Sequence, residues 1–127
     1  TVEDLMVVGD KIPFVNENLN MKKALQIISR KKLGTLIIQN NKKLTIGIIT
    51  DGQIRRFNET NSNLQDLTVK KVMTASPISI DQDTLAEKAL SIMNTKKITS
   101  LCVHNKKNRK KTIGILHIHN ILQSNIH

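Results

Sequence analysis

The hydrophobic positions of the chain follow one order, and that order occurs twice. Each copy begins with a short extended piece and continues with apolar residues at three- and four-residue spacing, which is typical of one buried helix face. Two short apolar runs joined by a polar turn come next, as in a β-hairpin, and a short helix follows each hairpin. Each copy therefore predicts β-α-β-β-α, with residues 58–63 as a polar connection between the copies.

The predicted elements lie at matching places in the two copies. The helix stripes contain Met21, Ala24, Leu25 and Ile28 in the first copy, and Leu85, Ala86, Ala89, Leu90 and Met93 in the second. The hairpins combine residues 36–38 with 46–49 and residues 101–103 with 113–116. Good N-cap residues, Asn18 and Asp83, precede the two helices, and Thr84 with Glu87 predicts a capping box.

Short strings confirm that the chain repeats itself. Residues 1–6 are echoed by residues 68–73, and residues 23–27 by residues 88–92. A copy of about sixty residues buries little surface alone, so we expect the two copies to pack against each other across their sheets. The predicted domains are residues 1–63, which include a lead-in segment and the polar connection, and residues 64–127.

Composition is that of an ordinary globular chain. The 127 residues are 39% hydrophobic and 24% charged, which argues against disorder and against a large multidomain enzyme. No apolar run is long enough for a membrane span and the N-terminus lacks a secretory signal, so we expect a cytoplasmic location. Cys102 lies in an apolar run, which predicts a buried, inert thiol.

The charge is strongly positive, at +10 from 20 Lys and Arg against 10 Asp and Glu. Such a charge attracts anions, and nucleic acid in particular. Phe14 and Phe57 are the only aromatic residues of the Phe, Trp and Tyr type, so no stacking platform for single strands is present. The densest basic run, residues 106–111, falls between two apolar runs and is predicted to be a solvated hairpin loop. Nucleic-acid binding is therefore the weaker interpretation.

The repeated plan resembles a tandem pair of cystathionine-beta-synthase (CBS) domains, a Bateman module, over the whole chain. Four strings resemble more narrowly the C-terminal CBS pair of bacterial D-arabinose 5-phosphate isomerases: residues 1–6, 9–13, 47–56 and 114–122. The most specific of them contain Thr-Asp-Gly and Arg-Arg at residues 50–56 and His-Ile-His at residues 117–119.

The resemblance implies an α/β (α+β) fold in which two β-α-β-β-α repeats form a pseudo-twofold CBS pair with small mixed sheets. Enzymes of that family interconvert ribulose 5-phosphate and arabinose 5-phosphate, which supplies Kdo for lipopolysaccharide. Their chemistry belongs to an N-terminal sugar isomerase domain that this sequence lacks. The resemblance thus implies a regulatory, non-catalytic segment that binds a nucleotide or nucleotide sugar between the repeats and supports a homo-oligomer.

The resemblance also indicates where the effector would bind. CBS pairs typically carry, between the third strand and the second helix, a Thr or Ser followed three residues later by an Asp that bonds ribose hydroxyls. Here the Asp position is Gln53 in one copy and Asn120 in the other, and the Thr position of the second copy is His117. The loss of two carboxylates suits a ligand with both phosphate and carboxylate groups, such as CMP-Kdo, with an adenine nucleotide as the alternative effector.

Two pairs of side chains near these positions are candidates for binding. Arg55 and Arg56 present planar forks that match carboxylate or phosphate, although they could instead pair with Glu59 or Asp66 or be solvated. On an extended segment His117 and His119 would project to one face, but a zinc site would need further ligands, so no metal site is predicted.

The segments that open the second strands would line the same cleft and supply hydroxyl groups. The predicted ligand-binding residues are Gly34, Thr35, Thr50, Asp51, Gln53, Arg55, Arg56, Thr99, Ser100, His117, His119 and Asn120. No catalytic residue and no cofactor are predicted, because neither a nucleophile with an oriented base nor a pair of catalytic carboxylates can be assembled. A purely structural oligomerisation module without ligand remains the main alternative.

Overall fold

A computed structural model describes residues 1–31, 33–60 and 63–124, which divide into two compact units. The first unit is Lys11–Pro77, and the second unit joins Thr1–Asp10 to Ile78–His127. Each unit therefore combines one repeat with the segment that leads into the other repeat. The predicted domain boundary after residue 63 separates the two repeats of the sequence, whereas the boundaries of the compact units lie after residues 10 and 77. Residues 61 and 62 of the predicted connection lie outside the described residues.

The first unit contains one four-stranded mixed sheet with strand order β1-β2-β3-β4. Strand β1 is parallel to β2, and the other two pairs are antiparallel. Its elements are β1 (Phe14–Asn16), α1 (Met21–Lys31), β2 (Thr35–Gln39), β3 (Thr45–Thr50), α2 (Asp51–Thr60), α3 (Val69–Val72) and β4 (Thr74–Ala75). The sequence did not predict β4, which belongs to the lead-in of the second repeat, residues 68–76.

The second unit contains a three-stranded mixed sheet with strand order β5-β6-β7. Strand β5 is parallel to β6, and β6 is antiparallel to β7. Its elements are β5 (Ser79–Asp81), α4 (Ala86–Lys96), β6 (Ser100–Asn105), β7 (Asn108–His117) and α5 (Ile118–Ser124). The predicted β-α-β-β-α plan and its small mixed sheets are thereby confirmed in both repeats.

Each unit has its own hydrophobic core. The stripe of α1 packs Met21, Ala24 and Ile28 into the first core, as predicted. The stripe of α4 packs Ala89 and Met93 into the second core, together with residues of β6 and β7. The prediction for Leu85 is wrong, since it is 64% exposed. Leu85 precedes the first residue of α4 and has an extended backbone, so it does not share the helix face.

The predicted helix caps are also wrong, and both fail for the same reason. Asn16 and Asp81 are the last residues of β1 and β5, and their side-chain oxygens accept the N–H groups of Asn18 and Asp83 at 2.9 and 2.8 Å. These turns delay the start of each helix by two or more residues. Helix α1 is capped instead by Asn20, whose Oδ1 accepts an N–H at 2.9 Å, and α4 has no side-chain cap bond.

The lead-in segments of the two repeats, residues 1–8 and 68–76, each pack closely on the backbone of a glycine. A Cβ added to Gly47 in β3 would overlap the sulfur of Met73 and lie 2.7 Å from its Cγ. A Cβ added to Gly114 in β7 would overlap the sulfur of Met6 and lie 2.9 Å from its Cγ. Only glycine permits this approach, which explains the apolar-Gly-apolar-apolar pattern of both strands.

The basic run forms the tip of an exposed hairpin, as predicted, although β7 begins inside the run at Asn108. The ladder passes from Asn105 opposite Asn108 directly to His104 opposite Thr112, so residues 109–111 have no opposite partners. Lys106 is paired with Asp83 at 2.7 Å.

Cys102 on β6 is 1% exposed, as predicted, and burial raises the pKa of its thiol to about 11. Within the described residues, no helix is both long and apolar enough to cross a membrane.

Candidate functional site

The first unit brings five predicted residues together at the corner where β3 ends and α2 begins. The carbonyl of Gly34 accepts the N–H of Asp51 at 3.0 Å. Thr50 Oγ1 accepts the N–H of Gln53 at 3.3 Å and so caps α2. We call Gly34, Thr35, Thr50, Asp51 and Gln53 the first corner.

Gly34 shapes the surface of the first corner. Its φ of +73° lies in the left-handed region, and a Cβ there would stand 2.9 Å from Asp51 Oδ2. The Asp51 carboxylate therefore lies against the glycine backbone, and Asp51 remains exposed to solvent. Thr35, by contrast, is 2% exposed, so its hydroxyl does not reach the surface.

Gln53 has a structural contact that its sequence position does not suggest. Its Nε2 donates to the carbonyl of Val72 at 2.6 Å, which joins α2 to the end of α3. A ligand hydroxyl that accepted a hydrogen bond from this Nε2 group would have to compete with the Val72 carbonyl of α3.

Arg55 and Arg56 are both exposed on α2. Among the described residues neither forms an ion pair, so the predicted alternative of pairing with Glu59 or Asp66 is not observed. A Cβ on Gly52 would lie 3.3 Å from Arg56 Nη1, which places this guanidinium beside the first turn of α2. Two guanidinium groups thus remain available to an anion near the first corner.

The second unit builds an equivalent corner where β7 meets α5. The carbonyl of Thr99 accepts the N–H of Ile118 at 2.8 Å, as Gly34 does for Asp51. Ser100 is 8% exposed and lies opposite His117 in the ladder, while Thr99 is exposed. We call Thr99, Ser100, His117, His119 and Asn120 the second corner.

Histidine replaces threonine as the helix cap at the second corner. His117 Nδ1 accepts the N–H of His119 at 3.1 Å, and Asn120 Oδ1 accepts the N–H of His117 at 2.8 Å. Because Nδ1 accepts this bond, it carries no proton, and the neutral ring is protonated on Nε2. This capping role was not predicted, although the equivalence of His117 with Thr50 in the two repeats was a signal for it.

The two imidazole rings of the second corner stack on each other. Their centroids are 4.7 Å apart and their planes differ by 24°. Burial lowers the pKa of His117, and the neighbouring His119 lowers it further. In the described part of the chain, no group of three or more His, Cys, Asp or Glu side chains is placed to hold a metal ion.

A histidine outside the corners, His104, also has a lowered pKa. His104 on β6 is 7% exposed, and its Nδ1 lies 2.7 Å from Ser79 Oγ. Burial lowers the pKa of His104 most, the charge of Arg109 lowers it further, and Asp81 opposes both.

Stability should therefore decrease in mild acid. An unfolded histidine has a pKa of about 6.5, whereas folded His104 and His117 have lower pKa values, so below about pH 6.5 the unfolded chain binds more protons. Their contribution is complete above about pH 6.5 and is lost as the pH falls toward the folded pKa values. Urea unfolding between about pH 7.5 and 5.5 should show this decline. The variant H104Q/H117T should show a shallower decline, and an unchanged slope would contradict the assignment.

A separate shallow groove of about 540 Å³ lies on the first unit beside α1. Its lining is Lys22, Leu25, Gln26, Ser29, Arg30 and Gln65. It contains no residue of the first corner.

Sequence comparison relates this chain to part of a longer curated protein. The arabinose 5-phosphate isomerase KdsD of Salmonella typhi is 34% identical over 125 residues, which cover 98% of this chain but 37% of that protein. The chain therefore spans little more than a third of the length of this curated relative.

Solved structures share the fold at lower identity. The structure of CBSX2 in complex with AMP has a TM-score of 0.82 at 23% identity, covering 98% of this chain and 94% of CBSX2. The CBS domain pair of MJ0100 in complex with 5'-methylthioadenosine and S-adenosyl-L-methionine has a TM-score of 0.84 at 20% identity, covering 97% of this chain and 93% of that one.

The sequence profile of the CBS domain matches this chain twice, at residues 2–59 and 69–126. Both matches coincide with the repeats, and each contains one of the two corners. The chain therefore belongs to the CBS-domain family, with two CBS domains in tandem.

Proposed function

We propose that the chain is the regulatory CBS pair of an arabinose 5-phosphate isomerase, and that it binds a nucleotide or nucleotide sugar at its two corners. The isomerase would act in the cytoplasm on ribulose 5-phosphate and would reside in an N-terminal sugar isomerase domain, as the resemblance to KdsD implies. This proposal rests mainly on the repeated corner. In each repeat a backbone carbonyl, of Gly34 or Thr99, accepts the N–H of the first residue of the last helix, and polar side chains lie at the same corner.

The charges around the corners favour an anionic effector. The exposed Arg55 and Arg56 form no ion pair with described residues and offer bidentate donors to phosphate or carboxylate. Neutral Gln53 and Asn120 replace the carboxylates that CBS pairs typically carry. A ligand with both phosphate and carboxylate groups, such as CMP-Kdo, suits this environment. An adenine nucleotide is the alternative, since related folds have been solved with AMP and S-adenosyl-L-methionine.

One observation favours a second candidate, a structural module that supports a homo-oligomer without a ligand. The amide of Gln53 is bonded to Val72, and the amide oxygen of Asn120 is bonded to His117. Both groups that replace the ribose-binding carboxylates are thus engaged within the protein.

Thermal unfolding of the 127-residue chain with separate additions of AMP, ATP, CMP, CMP-Kdo and a short DNA duplex distinguishes these functions. A ligand that binds only the folded chain at about 100 times its Kd adds about 2.7 kcal/mol of stability. We expect such a shift with CMP-Kdo at fixed moderate salt. The variant R55A/R56A should weaken binding by about tenfold or more, because charge-assisted hydrogen bonds are lost.

The matched control is K22A/K23A, which removes two exposed cations from α1 in the same unit. It should retain the shift. A shift with AMP or ATP alone would replace CMP-Kdo by an adenine nucleotide, and no shift with any nucleotide would favour the structural module. A shift with DNA alone that disappears on addition of salt would indicate non-specific binding through the net charge.

A further inference from the structure

Hydrogen bonds join the first corner and its elements to the lead-in of the second repeat, residues 68–76. Gln53 Nε2 donates to the Val72 carbonyl at 2.6 Å. The N–H of Ser76 donates to the carbonyl of Ile46 in β3 at 3.1 Å, so the lead-in is attached both to the helix and to the strand that form the first corner. The N–H of Val69 donates to the carbonyl of Leu19, which precedes α1, at 2.8 Å.

The second corner is attached to the lead-in of the first repeat, residues 1–8, through β7. Val7 and Ile115 exchange both backbone hydrogen bonds, at 2.8 and 3.0 Å. Ile115 precedes the capping residue His117 by only two positions on the same strand. Val2 is fully buried, and its N–H donates to the carbonyl of Thr84 at 2.8 Å.

The two attachments differ in directness. At the first corner, the side chain of Gln53 itself holds the lead-in. At the second corner, Asn120 accepts the N–H of His117, and only Leu116 separates His117 from Ile115, the backbone partner of Val7.

We propose that each corner controls the attachment of the lead-in that is bonded to its own unit. The first corner then governs residues 68–76, and the second corner governs residues 1–8. This crossed control makes the second CBS domain the one whose state is transmitted to the N-terminal lead-in. The part of the inference that concerns ligands rests on the proposed function, in which residues 1–8 follow the isomerase domain.

Amide hydrogen exchange on the 127-residue chain tests the crossed control with two variants at equivalent positions, Q53M and N120L. Both remove the polar group and keep a side chain of similar size. Q53M should speed exchange of the Val69 and Ser76 amides by about tenfold and leave those of Val2 and Val7 unchanged. N120L should speed exchange of the Val2 and Val7 amides and leave those of Val69 and Ser76 unchanged, because its effect reaches Val7 along β7.

The core amides of Leu36 and Leu101 report global unfolding and should exchange at unchanged rates in both variants. If either variant destabilises the whole chain, Q53A and N120S provide a second pair for the same comparison. Equal acceleration in both lead-ins, or none in either, would overturn the crossed control.

Hydrogen exchange with added ligand distinguishes this inference from the proposed function. Saturating CMP-Kdo or AMP that raises the unfolding temperature should slow exchange at Val2 and Val7 by about tenfold in the wild type, and by less in N120L. Binding without any change at Val2 and Val7 would overturn the coupling. Absence of binding by both compounds would count against the proposed function, whereas the comparison of the variants would still decide the crossed control.

Discussion

Replacement of Leu101 by alanine is expected to lower the free energy of unfolding by about 2–5 kcal/mol. Leu101 is 0% exposed on β6 and belongs to the core of the second unit. It lies opposite Leu116 in the ladder between β6 and β7. The substitution removes buried apolar surface and leaves a cavity that a β-strand flanked on both sides cannot readily fill.

Urea unfolding followed by circular dichroism measures this loss. The matched control is Leu85→Ala, the same substitution at a leucine that is 64% exposed. The control should change the free energy of unfolding by no more than about 0.5 kcal/mol. Similar losses in the two variants would contradict the location of the core.

Replacement of Gly114 by alanine should be the second large effect, at about 1–3 kcal/mol. A new Cβ would overlap the Met6 sulfur and lie 2.9 Å from its Cγ, so the lead-in would have to move from β7. Alanine is otherwise preferred to glycine within a strand, because it loses less backbone entropy. The destabilisation should therefore come from Met6 rather than from the strand.

A double-mutant cycle with Met6→Ala checks this cause. In the Met6→Ala background, Gly114→Ala should cost little or should stabilise the chain, which gives a coupling energy of about 1 kcal/mol or more. Gly52→Ala is the control, since its Cβ would meet only the Nη1 end of the flexible Arg56 side chain at 3.3 Å. Equal costs of Gly114→Ala in the two backgrounds would show that Met6 is not the obstacle.

The repeat and the order of elements could be predicted from local pattern. The spacing of Met21, Ala24 and Ile28 fits one helix face, and the structure buries these three residues. The equivalence of Thr50 with His117 followed from alignment of the two repeats, and both residues cap a helix. Such features depend on periodicity and on neighbours within a few residues, which the sequence records directly.

Other features could not be read from local pattern. Leu85 fits the helical spacing but is 64% exposed, because the turn after Asp81 delays the helix. Gln53 occupies a ligand-binding position in the resemblance, but its amide is bonded to Val72 in another element. The choice between a ligand and a backbone partner depends on which groups lie within hydrogen-bond distance in the folded chain.

By itself, the sequence determined two repeats and the order of their elements, since these arise from short-range periodicity and internal similarity, and its resemblance to CBS pairs indicated the family and the residues expected at each corner. Only the tertiary structure decided that each compact unit takes its lead-in from the other repeat, with Met6 on Gly114 and Met73 on Gly47. The physical reason is that these contacts join residues far apart in the chain, and either lead-in has the same local pattern whichever repeat it packs against.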